Sequence, residues 1–174
     1  MKPSDVPVYF RAALLDGLSA YGHPEVLVIE ADQARKQGRV DDGIYWRLTN
    51  PKNYGWQARR YNPQGNLAGH TEHQLMEVMI TLTAYVHDDY ESGYDSNDLA
   101  NIAQMTVNSL PFVERMRQND IGVQRATPVR TITFTDEADN YAKEASFDVN
   151  VTFIREINPA TPVTDTLTPH IIRI

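Results

Sequence analysis

The stretch A-S-F-D-V-N-V-T-F, residues 145–153, decides the fold class of this chain. Apolar and polar side chains alternate along it without a break. Its apolar face consists of Ala145, Phe147, Val149, Val151 and Phe153. This two-residue period predicts a β-strand with one face in a core and the other in water. Residues 75–86 alternate in the same way and predict the longest strand, whose apolar face consists of Met76, Val78, Ile80, Leu82, Ala84 and Val86.

Apolar residues at helical spacing predict two principal helices. Residues 4–21 form the first, with Ser4 as the N-cap and Pro7 in the first turn. Ser96 is predicted to cap the second, in which one face holds Leu99, Ile102, Ala103, Thr106 and Leu110. Pro111 cannot continue that helix cleanly, so a kink or a second short helix is expected there.

Shorter strands are predicted at residues 25–30, 121–125 and 129–135. Together these elements indicate an α+β fold, a mainly antiparallel sheet with two principal helices packed on one face. Residues 44–49 and 56–61 also alternate, and N-P-K-N-Y-G lies between them. We expect this segment to form a short hairpin with its turn at residues 50–55.

The last 17 residues, 158–174, contain three prolines and four threonines. That composition disfavours a helix and predicts an extended C-terminal arm, although a disordered end is the alternative. We therefore expect one domain over residues 1–158 and an arm over residues 159–174. The terminal H-I-I-R-I has strand character and has no obvious partner nearby in the sequence.

Composition narrows the function classes. A chain of 174 residues is long enough for one domain with its own core, and it has no cysteine for a disulfide, a thiolate metal site or a nucleophile. The net charge of −7 argues against a general binder of nucleic acid or of an anionic membrane. This net charge remains compatible with DNA that passes close to the protein without binding to it. The sequence shows neither a signal peptide nor an apolar run of membrane-spanning length, so we expect a protein without membrane contact.

One group of residues has spacing that suggests metal ligands: His70, Glu72 and His73, followed by His87, Asp88 and Asp89. The strand over residues 75–86 would separate its two halves by about 35 Å or more, at about 3.3 Å per residue. Adjacent acidic residues in turns usually only solvate a loop. Serine-nucleophile and phosphate-loop motifs are missing. We therefore expect no catalytic, cofactor-binding or metal-binding residue; a small metal- or ligand-binding module is the alternative.

The strongest binding signal is a basic and aromatic cluster formed by Tyr54, Trp56, Arg59, Arg60 and Tyr61, with Trp46 as a neighbour that belongs to the core in one interpretation. Such residues anchor protein interfaces, and they also stack single-stranded nucleic acid. The acidic balance of the chain favours the protein interface. In the arm, the candidate contacts with neighbours are Leu167, His170, Ile171, Ile172 and Ile174. An extended arm of this kind can add its strand to the sheet edge of another subunit.

Three segments carry a resemblance to a known family: L-M-E-V-M-I-T-L-T-A-Y-V, L-A-N-I-A-Q-M-T-V-N-S-L-P-F-V-E-R-M, and the strands from I-G-V-Q-R to V-N-V-T-F. They resemble the central strand, the second helix and the final strands of the neck or tail terminator proteins of long-tailed phages, including gateway-type neck proteins. The resemblance covers residues 70–156.

The resemblance implies a structural, non-enzymatic virion protein of the neck, assembled in the host cytoplasm. Such proteins form rings, typically homohexamers, that cap the tail tube protein and join it to the head-side connector or stopper protein. DNA passes through the central channel as cargo. The family has no catalytic residues to transfer to this chain. The alternative within the same class is a tail-tube or tail-completion protein; a tube subunit should form long filaments, whereas a terminator should stop at a ring.

Overall fold

The structure is a computed structural model that describes residues 2, 4–31, 42–64, 67–86, 95–135, 141–158 and 160–162. The elements in chain order are α1 (Val6–Ala20), β1 (Leu27–Glu30), β2 (Gly43–Gln64), β3 (Leu67–Tyr85), α2 (Ser96–Val107), α3 (Leu110–Arg117), β4 (Gly122–Val123), β5 (Arg130–Thr135), β6 (Tyr141–Ile157) and β7 (Ala160–Pro162). This arrangement confirms the predicted α+β fold. None of the helices in the described ranges is long and apolar enough to cross a membrane.

The strands form one sheet in the order β1-β2-β3-β6-β4. Only the pairing of β1 with β2 is parallel; the others are antiparallel. β4 and β5 both pair with the outer edge of β6, one beyond the other along it. β7 pairs with residues 67–69 of β3, just beyond the stretch that pairs with β6. The sheet is therefore five rows wide, with β3 at its centre and β2 beside it.

One face of this sheet is covered by the helices. The apolar faces predicted for residues 75–86 and 145–153 are both buried, except Val86, which is only partly buried. Ile80, for example, lies opposite Val149 in the register of β3 and β6. A polar row on the other face of the same strands links them, because the Thr81 hydroxyl donates to the Asp148 carboxylate at 2.8 Å. The core-facing side that the two-residue period predicted for these two strands is thus correct.

The helices pack on the sheet through residues spaced three and four apart. Phe10, Leu14 and Leu18 of α1 are fully buried, and the Phe10 ring meets Phe112 of α3 edge-on, with ring centroids 5.3 Å apart. The predicted N-cap at Ser4 is wrong, because α1 starts after Asp5, which makes no side-chain cap bond. Chain reversal follows at Gly22, whose φ of 89° favours glycine.

The second predicted helix is two helices, α2 and α3. Asp95, not Ser96, caps α2: its carboxylate accepts a hydrogen bond from the Asp98 amide at 2.6 Å. Ser109 caps α3 in the same way, accepting from the Phe112 amide. Pro111 lies in the first turn of α3, a position where the missing amide proton costs nothing. The break expected at this proline is therefore confirmed as a new helix start.

The short hairpin predicted over residues 44–61 is wrong. N-P-K-N-Y-G, residues 50–55, does not turn the chain but lies inside β2, which pairs with β3 along almost its whole length. The turn comes later, between Gln64 and Leu67, so that the hairpin is formed by β2 and β3. The residues expected to form the turn instead form two β-bulges. The register shifts at these bulges, between Thr49 and Lys52 and again between Tyr54 and Ala58.

Three residues of the predicted arm, Ala160–Pro162, form β7. The rest of the arm, including Leu167, His170, Ile171, Ile172 and Ile174, lies outside the described residues. The loop with His87, Asp88 and Asp89 lies outside them as well.

Candidate interaction surface

The far half of the β2–β3 hairpin extends past the helices. We call it the hairpin extension and define it as residues 50–64 of β2 with residues 67–75 of β3. Every residue of β2 from Asn50 to Tyr61 is exposed, whereas Ile44 and Trp46 near its start are buried. The nine residues on the β3 side span about 30 Å at about 3.3 Å per residue. The hairpin extension therefore projects from the fold, and its side chains from Asn50 to Tyr61 are not part of the core.

Two bulges shape the hairpin extension. At the first, Asn50 adopts a φ of 49°; at the second, Gly55 adopts a φ of 72°. Gln74 of β3 holds the second bulge in place, because its side-chain amide donates to the backbone carbonyl oxygens of Tyr54 at 3.0 Å and Gly55 at 3.5 Å. Bulges bend a strand and redirect its side chains. The extra residues are thus fixed in one geometry by a neighbouring strand.

The face opposite the helices, which we call the outer face, carries an apolar row. Tyr54 lies opposite Leu75 in the register of β2 and β3, and Leu75 lies opposite Ile154 in the register of β3 and β6. All three are exposed large apolar residues, and Ile154 is half exposed. Trp56, next to this row in the second bulge, is 96% exposed. Large aromatic side chains left in water on a rigid sheet are a typical feature of protein-binding surfaces.

The face that continues the helix-covered side, which we call the inner face, carries a polar cluster centred on Glu72. The carboxylate of Glu72 accepts a hydrogen bond from the Arg59 guanidinium at 2.8 Å and lies 3.3 Å from Nε2 of His70. It also accepts a hydrogen bond from the Gln57 amide. The Tyr61 ring lies against His70, with ring centroids 5.9 Å apart. The hydrogen bond from Arg59, above all, lowers the pKa of Glu72 from its ordinary value.

A second histidine–carboxylate pair joins β3 to β6 at the base of the hairpin extension. Nδ1 of His73 lies 3.1 Å from the Glu156 carboxylate on the outer face. Because His70 belongs to the inner face, the two histidines lie on opposite sides of the sheet. Among the described residues, no group of three or more histidine or acidic side chains is placed to hold a metal ion.

The structure places all five residues of the predicted basic and aromatic cluster in the hairpin extension but divides them between its faces. Tyr54 and Arg60 lie on the outer face, and Arg59 and Tyr61 on the inner face. Trp46 is 4% exposed and belongs to the core, next to Leu82 across the strands; its indole N–H has no hydrogen-bond partner among the described residues.

Sequence reasoning missed two members of the outer-face row, Leu75 and Ile154. Both residues lie at positions of an alternating strand where the neighbouring outward-facing residues are mostly polar. An apolar residue at such a position was the available signal. Their proximity to Tyr54 depends on strand register, which a single sequence does not display.

Two shallow depressions, with volumes of about 430 Å³ and 540 Å³, lie at the end of α2 beside α3 and β4 and along α2, respectively. Asn108 and Arg125 line both of them. The lining of the second depression includes three uncharged polar side chains of α2, Asn97, Asn101 and Gln104. The Gln104 amide is already engaged with the Thr127 carbonyl oxygen at 2.6 Å.

Comparison with known proteins gave one family match. The family described as E217 gateway protein gp29 matches residues 7–163 of this chain. The match runs from the second residue of α1 to the residue after β7, and so includes the whole hairpin extension. A search of curated proteins found no match.

Proposed function

The chain belongs to the E217 gp29 gateway protein family, a bacteriophage head–tail gateway family, and from this membership we propose that it is a structural component of the neck of the virion. Its task in this proposal is to join the tail to the head. The observation that carries the proposal is the family match over residues 7–163, which contains nearly every helix and strand.

The proposed assembly is a closed ring of identical subunits, a homohexamer, acting as a tail terminator. A ring needs a head-to-tail contact, in which one surface of a subunit meets a different surface of the next, with a rotation that closes. The hairpin extension supports this proposal, because it presents Tyr54, Trp56 and Leu75 on a single projecting element. The proposed subunit interface therefore includes Tyr54, Trp56, Arg59, Arg60 and Tyr61.

In its place in the virion, the ring caps the tail tube protein on one side and meets the head-side connector or stopper protein on the other. DNA crosses the central channel as cargo. The net charge of −7 suits a wall that DNA slides past, because like charges repel. Assembly takes place in the host cytoplasm, and the protein acts by shape and self-association without a catalytic step.

The segment that follows β7 is the second proposed contact. Pro162, the last described residue before this segment, lies opposite Leu67 beside the turn of the hairpin. The terminal residues Ile171, Ile172 and Ile174 add a strand to the sheet edge of a neighbouring subunit in this proposal. This segment is tested by deleting residues 163–174 only, since residues 160–162 pair with β3 and belong to the fold.

A matched variant separates the length of the segment from its chemistry: Ile171→Ser, Ile172→Ser and Ile174→Ser together keep the chain length and remove the apolar side chains. Both changes are expected to reduce tail joining. Unchanged assembly and joining in the deletion variant would remove the segment from the proposal while leaving the ring itself untouched.

The proposal as a whole is tested by electron microscopy of the full-length protein, alone and mixed with purified tail tubes. Rings in solution, or particles seated at tube ends, are the expected result. Long filaments of the protein alone would instead identify a tube subunit. Absence of both rings and end-bound particles would contradict the proposal.

A further inference from the structure

Positive charge is concentrated on β2. Residues 43–71 hold four basic residues, Arg47, Lys52, Arg59 and Arg60, and no acidic one. The whole chain has 16 basic and 23 acidic residues, so the remainder is more acidic than the chain as a whole. Within the described ranges, Lys52 and Arg60 form no ion pair. β2 is therefore a basic strand on an acidic protein, with charges left over for a partner.

β2 is also an open edge of the sheet. β1 pairs with Gly43 to Trp46 and, beyond an amide contact from Ala31, no strand in the described part of the chain covers the rest of that edge. An open edge invites another strand, but Pro51, Lys52 and the two bulges interrupt this one. Bulges and prolines block continuous backbone pairing, so a partner of this edge is held mainly by side chains.

The side chain best placed to anchor such a partner is Trp56. It is 96% exposed, and hydrogen bonds from Gln74 to the carbonyl oxygens of Tyr54 and Gly55 hold the backbone just before it. A tryptophan buries about 150–250 Å² when covered, and a backbone that is already held lowers the cost of ordering this segment on binding. Tyr54, Leu75 and Ile154 continue the apolar surface beside it.

The composition of this surface fits a protein better than a nucleic acid. Leu75 and Ile154 offer no aromatic face for a base to stack on. The Arg59 guanidinium is bonded to Glu72 at 2.8 Å, which leaves it less available to a phosphate, and Glu72 itself repels one. The rest of this same chain is acidic, in contrast, and therefore attracts the basic residues of β2 on another copy. It also provides the different acceptor surface that a head-to-tail ring needs.

We propose that the hairpin extension of one copy docks on the acidic surface of the next copy, with Trp56 as the buried anchor and Lys52 and Arg60 as the charged rim. This inference rests on the proposed ring and adds its partner surface and its chemistry. Attraction between the basic edge and the acidic surface orients the two copies as they meet, which makes assembly sensitive to salt.

The test compares full-length variants by the protein concentration needed for half-maximal assembly, as rings or as occupied tube ends. Trp56→Ala is expected to raise that concentration about 30-fold, the size typical of an interface hot spot. Arg60→Glu is expected to raise it as well and to weaken the effect of raising salt from about 0.05 M to about 0.5 M. The control is Tyr21→Ala, an exposed aromatic residue beyond the end of α1, which should assemble as the unaltered protein does.

The acceptor surface is identified by placing photo-reactive benzoylphenylalanine at position 56 and irradiating the assembled protein. Covalent dimers of this chain, joined at an acidic region outside residues 43–71, are the expected product. Attachment to tube protein alone would overturn the inference, as would unchanged assembly of Trp56→Ala. A gel-shift assay with short DNA adds the remaining outcome: if Arg60→Glu abolishes DNA binding but leaves assembly unchanged, the surface serves nucleic acid and the inference is wrong.

The experiments distinguish a failure of this docking mode from a failure of the proposed function. Rings that form equally well with Trp56→Ala leave the proposed function standing and remove only this docking mode. An unaltered protein that forms neither rings nor end-bound particles removes both.

Discussion

The α-carbon of Gly17 in α1 lies directly against the side chain of Thr106 in α2. A β-carbon added at Gly17 would stand 2.5 Å from the γ-methyl carbon of Thr106. Thr106 is fully buried, and its hydroxyl is engaged with the Ile102 carbonyl oxygen at 2.8 Å, so it has little freedom to move away. The crossing of the two helices therefore depends on a glycine at this position.

Gly17→Ala is expected to lower the free energy of unfolding by about 1 kcal/mol, because overpacking costs about 1–3 kcal/mol while alanine gains about 1 kcal/mol in helix propensity. Chemical denaturation measures this change. Combining it with Thr106→Ser removes the obstructing methyl group, so the double variant should be more stable than the sum of the single effects predicts. Simple additivity would show that the two residues do not clash.

Asp95→Ala is expected to lower the free energy of unfolding by about 1 kcal/mol, because it removes the side-chain acceptor at the start of α2. Asp95→Asn keeps an oxygen that can accept from the Asp98 amide and should retain most of the stability. Thermal unfolding of both variants checks this. Equal losses of stability in Asp95→Asn and Asp95→Ala would mean that Asp95 stabilises the protein through its charge and not through capping.

The two tryptophans should respond to substitution in opposite ways. Trp46→Ala is expected to cost about 3–5 kcal/mol because it empties a core site, whereas Trp56→Ala should change stability by less than about 0.5 kcal/mol. If Trp46→Ala does not fold, Trp46→Phe gives a milder loss and leaves Trp56 as the single tryptophan. Acrylamide should then quench its fluorescence strongly in the free protein and weakly once the protein assembles. Poor quenching in the free protein would show that Trp56 is covered already.

Gly55→Ala is expected to loosen the second bulge, since its φ of 72° strains any residue with a β-carbon although nothing lies within 4 Å of that atom. A cost of about 1 kcal/mol corresponds to amide exchange about fivefold faster in this part of the hairpin. Hydrogen-exchange measurements on residues 70–75 report it. Gly55→Asn, which tolerates the same backbone geometry better, is the matched control and should change exchange less.

The contribution of Glu72 should depend on pH. Its pKa is lowered by the hydrogen bond from Arg59, so the charged form is favoured in the folded protein. Stability from this source is fully present above the ordinary value of 4.5 and is lost as the pH falls through the lowered pKa of the folded state. The difference in melting temperature between the unaltered protein and Glu72→Gln should therefore shrink as the solution is acidified below that value. Glu114→Gln, at an exposed position, provides the control curve. A difference that stays constant with pH would contradict the assignment.

The sequence was sufficient to predict those elements whose apolar residues recur at a regular spacing. The alternation in β3 and β6 located the core face, and apolar residues at helical spacing located α1. These patterns are local, and burial on one face imposes them directly.

Sequence reasoning failed where long-range pairing overrode local preference. The residues N-P-K-N-Y-G favour a turn on their own, but pairing with β3 on both sides keeps the chain extended, and the two bulges absorb Asn50 and Gly55. The position of Ile154 beside Leu75 could not be predicted for the same reason. Register across strands distant in the sequence leaves no trace in the composition of either strand.

β7 continues the line of β6 along β3 and ends beside the turn of the hairpin, with Pro162 opposite Leu67. The last described residue of the chain therefore lies at the far tip of the hairpin. A purification tag or fluorescent protein fused behind residue 174 would be tethered within about 40 Å of that tip, at about 3.3 Å per residue. Fusions at this end should interfere with assembly more than fusions ahead of α1, so reporters intended for work on intact particles belong at the other end.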